Sequence, residues 1–135
     1  MKIIPIINDC KYDDGYLLAY NTKDQQILFA HFRKKIMNDK ILCQELGELL
    51  QYISTYRPNN LILSLNQIQN FPLIYKKISL HFFQLIHLLG IKKLAFISNK
   101  TNQKDLLDLV KNIPLKSGVF QSRNKSKEWI KSDLN

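Results

Sequence analysis

The sequence predicts an α/β domain on a single mixed sheet, an N-terminal antiparallel hairpin joined to a parallel βαβ half, with about four helices. Three observations predict it. Asn60-Leu-Ile-Leu-Ser-Leu-Asn66 is weakly polar on both alternating faces, as a strand buried mid-sheet between helices is. Helical patterns flank it on both sides. Beyond residue 38, helical and strand-like segments alternate, which implies right-handed crossovers and parallel strands.

In chain order, residues 2–7 read as an edge strand, because Pro5 has no N–H for a central ladder. Lys11 to Gly15 ends in Asp-Gly, a turn signal. Tyr16 to Tyr20 and Ile27 to Arg33 are strand-like runs, and the polar Asn21 to Gln25 between them makes a hairpin. Asn38 or Asp39 can cap the next helix by accepting a backbone N–H. Leu42, Leu46, Leu49, Ile53 and Tyr56 form its apolar stripe, and Arg57-Pro-Asn-Asn60 stops it.

The buried strand 61–66 follows, then a polar loop from Gln67 to Asn70. Pro72 suits the first turn of a helix with a stripe at Ile74, Ile78, Phe82, Leu85 and Leu89. Gly90 can end that helix in the left-handed conformation. Lys92 to Ser98 is a second inner strand. Leu106, Leu109, Val110 and Ile113 mark a short helix closed by Pro114, and Val119 to Gln121 a last short strand. Ser126 to Leu134 is a terminal helix anchored by Trp129 and Ile130.

At 135 residues the chain is one domain, 1–135, with room for a core that needs no metal or disulfide staple. Cys10 and Cys43 form no CxxC pair, and Cys43 within an apolar helical pattern reads as a small core residue. No apolar run approaches the ~20 residues of a membrane span, and the short apolar N-terminus lacks a cleavage site. A cytoplasmic location is the resulting expectation.

The net charge of +9 raises the question of a polyanion partner. Residues 61–135 hold 12 basic and 4 acidic groups, against 8 and 7 in residues 1–60. Yet lysines outnumber arginines 17 to 3, and arginine makes the bidentate base and phosphate contacts. Abundant Lys, Ile and Asn also follow from AT-rich codons. Specific nucleic-acid binding is therefore the lesser expectation, with Lys92, Lys93, Lys100 and Lys104 as its residues.

Four segments, in their joint order, resemble the STAS domain, the anti-sigma-factor-antagonist superfamily, in its small stand-alone bacterial variety. Tyr16-Leu-Leu-Ala-Tyr20 with Ile27 to Phe32 is similar to its opening hairpin. Tyr52 to Leu63 is similar to its first helix and central strand, and Leu88 to Ile97 to its second helix, glycine and following strand. Phe120 to Ile130 is similar to its last strand and helix.

The resemblance implies a regulatory protein-binding module. Its docking surface would be the loop after the central strand and the start of the next helix. Here that surface is Gln67, Gln69, Asn70, Phe71, Tyr75 and Lys76. Family members carry a phosphorylated Ser or Thr at that helix start. Leu65 to Ile74 contains neither, Ser64 stands where a strand-end Asp is common, and Ser79 lies well into the helix. The phosphorylation switch does not carry over.

No catalytic, cofactor or metal site is expected. The chain lacks GxSxG, P-loop, GxGxxG, HExxH and EF-hand patterns. His81 and His87, six residues apart, fall on different helix faces, and His31 lies on a strand. Asp13 and Asp14 sit in a turn and suit solvent or capping. Phe82 reads as core, while Phe71, Tyr75 and Phe83 could leave a partly exposed apolar patch near the polar loop. Such a patch suits a protein partner, or the mouth of a pocket for a small apolar ligand or lipid. An exposed edge at residues 2–7 would allow a homodimer.

Overall fold

The computed structural model describes residues 17–22, 27–32, 39–66 and 74–132. The elements are β1 (Leu17–Thr22), β2 (Ile27–Phe32), α1 (Asp39–Tyr56), β3 (Asn60–Ser64), α2 (Ile74–Leu88), β4 (Lys93–Ile97), α3 (Gln103–Val110), β5 (Lys116–Phe120) and α4 (Arg123–Lys131). The strands form one sheet in the order β1-β2-β3-β4-β5. β1 pairs antiparallel with β2, and β2 to β5 are mutually parallel. The fold is α/β, as expected. The strand expected at 2–7, the turn at 11–15 and the loop at 67–70 lie outside the described residues, as do Pro72 and the cap at Asn38.

Two faces of the sheet bury two apolar clusters, and strand alternation sorts the residues between them. Leu28, Ala30, Phe32, Leu61, Leu63, Leu94 and Phe96 point to one face, where Leu46, Leu49 and Ile53 of α1 and Phe82 and Ile86 of α2 join them with Leu106 and Leu109 of α3. Ile27, Phe29, Ile62, Ala95 and Ile97 point to the other, under Ile130 and Trp129 of α4. Each crossover from β2 to β5 steps one strand the same way. Right-handed crossovers therefore place α1, α2 and α3 on one face. Among the described strands the order never reverses, so they form no crevice of the kind that opens at a topological switch point.

The helix ends follow from named residues. Arg57 stops α1 in the left-handed region, at φ 51°, which costs a non-glycine residue about 1–2 kcal/mol. Its hydrogen bonds offset that cost: the backbone N–H donates to Ile53 O at 2.8 Å, Nε to Ser54 O at 3.1 Å and Nη1 to Leu89 O at 3.2 Å. The last bond ties the end of α1 to the end of α2. Gly90, at φ 104°, ends α2. Ile91 N–H donates to Ile86 O and Gly90 N–H to His87 O, the paired bonds of a Schellman turn.

Three expectations are corrected. The last helix begins at Arg123, not Ser126, because the Ser122 hydroxyl accepts the Lys125 N–H and caps it. The last strand begins at Lys116, three residues early, because backbone pairing with β4 needs no apolar side chain and runs through Ser117 and Gly118. Cys43 is exposed rather than core. Leu46, Leu49 and Ile53 set the buried stripe of α1, and Cys43 lies off it.

Lys93 couples β4 to the end of α4. Its ammonium donates to the carbonyls of Trp129 (3.2 Å), Ile130 (3.2 Å) and Ser132 (2.7 Å), and lies 5.3 Å from the Trp129 ring centroid. A cation at the negative end of a helix is favourable, and all three of its donors are used. Lys93→Met keeps the aliphatic stem but removes these bonds. A loss of about 2 kcal/mol is expected, read as a lower urea midpoint at unchanged m-value. A change under about 0.5 kcal/mol would show that water replaces the ammonium at no cost.

Candidate functional site

The carboxyl ends of β2, β3 and β4 bring together His31, Ser64, Asn66 and Asn99. His31 stands opposite Ser64 in the parallel ladder, and His31 Nδ1 lies 2.8 Å from Ser64 Oγ. The Ser64 hydroxyl donates to Asn66 Oδ1 at 3.2 Å. A hydroxyl has one proton, so Nδ1 of His31 carries the hydrogen that Oγ accepts. Phe29 stacks on the imidazole at 6.5 Å between centroids. Ser64 is buried, at 3% exposure, and Asn66 faces solvent.

The next layer comes from the segment joining β4 to α3. Asn99 N–H donates to Asn102 Oδ1 at 2.9 Å, and Asn102 N–H donates to Asn99 Oδ1 at 2.8 Å. This reciprocal pair closes the turn and starts α3. Both amide groups then reach across to β3. Asn102 Nδ2 donates to Leu65 O, and Asn99 Nδ2 donates to Asn66 O, each at 2.8 Å. Leu65 N–H donates to Ile97 O at 2.9 Å. Three hydrogen bonds thus hold Leu65 and Asn66, from which the chain leaves the sheet toward residues 67–73.

Of the docking residues expected from the sequence, Gln67, Gln69, Asn70 and Phe71 lie outside the described residues. Tyr75 and Lys76 fall in the first turn of α2. Phe83 is corrected from partly exposed to core. It is 2% exposed and packs edge-on against Phe82 and Phe96, at 5.5 and 5.6 Å between centroids. The reason is the rotation of α2: Ser79, Phe82, Phe83 and Ile86 face the sheet, and Leu85, from the predicted stripe, is turned outward.

The four lysines of the polyanion reading do not converge. Lys92 and Lys93 stand at the amino end of β4, and Lys100 and Lys104 beyond its carboxyl end. The five-residue strand alone separates the two pairs by roughly 16 Å. Lys93 is also committed to the end of α4. Among the described residues, no group of His, Cys, Asp or Glu is placed to hold a metal ion. No described helix is long and apolar enough to cross a membrane.

Sequence reasoning passed over the His31–Ser64 pair and the Asn99–Asn102 pair. The first depends on strand register, which no local pattern announces. The second has a signal: two asparagines three apart, just before a helical stripe, is the spacing of a reciprocal turn. No family model matches the chain, and no curated protein matches its sequence.

Proposed function

We propose that the chain is a STAS-like regulatory interaction module, not a catalyst, and that it docks a protein partner at the carboxyl end of its central strand. The observation that carries this reading is the fixed departure point at Leu65 and Asn66. Two amides from the neighbouring segment and one ladder bond hold it. A pre-organised stem loses less conformational freedom on binding, which favours affinity. The element order also supports it, with an antiparallel pair followed by helix–strand alternation and a closing helix on the opposite face.

The test is comparative capture from native lysate with the full chain as bait. Wild type should retain one protein at low and high salt, with and without nuclease. Asn66→Arg, Gln69→Arg and Tyr75→Ala should each weaken that capture by about tenfold or more, the scale of a lost central contact. Far-UV circular dichroism should stay unchanged, since Asn66 is exposed. Equal capture by all three variants would remove the docking assignment. Capture that disappears with nuclease or salt would instead favour a polyanion partner.

A further inference from the structure

We infer that the outer edge of β5 binds an extended, acidic segment of a partner protein, which joins the sheet beside it. This surface lies along the side of the sheet, apart from the strand ends discussed above. Among the described strands, β5 has one neighbour, β4. Phe120 O accepts the Ser98 N–H at 2.8 Å, so the backbone groups of Phe120 turn inward to β4. A residue's N–H and C=O leave a strand on the same side, and the side alternates along the chain. Lys116 and Gly118 therefore also face β4, while Ser117 and Val119 present both groups outward. Two donors and two acceptors at strand spacing match extended backbone, the chemistry by which a peptide adds to a sheet edge.

Side chains wall this edge on both faces. On one, Phe120 packs against Trp129 of α4 at 5.2 Å between ring centroids, and both are half-buried. On the other, Val119 is half-buried against the larger core cluster. α3 is the last helix on that face and runs against the strands. With Leu106 and Leu109 turned to the sheet, the right-handed advance of about 100° per residue sets Leu107 on the flank away from α2. Leu107 is 45% exposed there. An added strand would thus find apolar contacts on each of its faces.

Charge selects an acidic segment as the occupant. Lys116 is exposed and shares the strand face of Phe120. Lys125, one turn before Trp129 on the same side of α4, is exposed as well. From Lys111 to Lys131 the chain holds six basic residues and one acid, Glu128. Opposite charges facing each other across a strand pair attract, and like charges repel. A second copy would bring the same excess of cations to the edge, and lysine on an edge strand is a common guard against self-pairing. A segment with Asp or Glu opposite Lys116 and an apolar residue opposite Phe120 fits both the charge and the walls.

The probe is a blocked synthetic peptide, Thr-Glu-Thr-Val-Thr-Val-Thr-Glu-Thr, which reads the same in either strand direction, with a twin that has lysine for glutamate. Binding to the full chain is followed by NMR titration. Wild type should bind the glutamate peptide about tenfold or more tightly than its twin at low salt. The Ser117 and Val119 amides should gain protection from hydrogen exchange. Lys116→Glu should reverse the preference. Ser117→Pro should remove binding and keep the circular dichroism of wild type, because the N–H it deletes faces away from β4. Equal affinity for the two peptides would overturn the inference. So would no binding up to about 1 mM, or binding that leaves Ser117 and Val119 unprotected. A dimer in sedimentation equilibrium that Ser117→Pro dissolves would overturn it too, giving the edge to a second copy. None of these outcomes depends on capture by the strand-end surface.

Discussion

Replacing Asn102 with leucine should cost about 3 kcal/mol of stability and loosen the strand end at Leu65 and Asn66, where docking is proposed. Asn102 is fully buried, at 0% exposure. Its side chain accepts the Asn99 N–H and donates to Leu65 O. Leucine leaves both backbone groups without that partner, and each buried polar group left so costs about 1–3 kcal/mol. Asn102→Asp separates the two bonds. Its carboxylate still accepts from Asn99 N–H but offers no donor to Leu65 O, so oxygen faces oxygen in a buried site. Asp should therefore destabilise by a similar amount despite its shape. Urea unfolding gives the magnitude. Hydrogen exchange at the Asn99 amide should rise in the leucine variant and much less in the aspartate variant. A loss below about 1 kcal/mol in both would mean that Leu65 O is satisfied in some other way, and the fixed stem would lose its physical basis.

That network also marks how far the sequence could be read. The α/β class was legible because β3 is apolar on both faces, and the structure buries Leu61 and Leu63 on one side and Ile62 on the other. Gly90 was legible because a glycine after a helical stripe has one common use, and its φ of 104° shows that use. Phe83 and Cys43 were misplaced for one shared reason. A helical stripe gives a period, but which residues beside it are covered is set by the neighbours: α1 buries its expected Leu46, Leu49 and Ile53 and leaves Cys43 off that stripe, while α2 buries Phe83 and Ile86 and turns Leu85 outward. Lys93 was read as a polyanion contact because its three carbonyl acceptors lie 36 to 39 residues away and no local pattern announces them. The resemblance points to the strand end after β3, and Gln67, Gln69, Asn70 and Phe71 of that surface lie outside the described residues. The hydrogen-bonded pair beside it was not legible, because His31 and Ser64 meet only through register.

The second large effect is expected at Phe96, and it tests the corrected phase of α2. Phe96 is 1% exposed on β4 and meets Phe83 edge-on, at 5.6 Å between centroids and 79° between planes. Edge-to-face rings set the positive rim of one against the negative face of the other, which contributes about 0.5–1.5 kcal/mol beyond burial. Phe96→Ala should cost about 4 kcal/mol, the sum of lost transfer energy and the cavity left between sheet and helix. Phe83→Ala should cost nearly as much, about 3 kcal/mol, because its ring is buried as fully. The double variant should cost about 1 kcal/mol less than the sum, since both rings lose the same contact once. If the double variant is too unstable to measure, Phe→Leu at both positions gives the same cycle at a smaller scale. A docking role for Phe83 makes a different forecast: its removal would leave stability within about 0.5 kcal/mol of wild type and weaken partner capture instead. That result would turn α2 about its axis and return Phe83 to the surface. The burial of the ring against Phe96 argues for the large loss, and with it for confining the proposed docking surface to the loop and the first turn of α2.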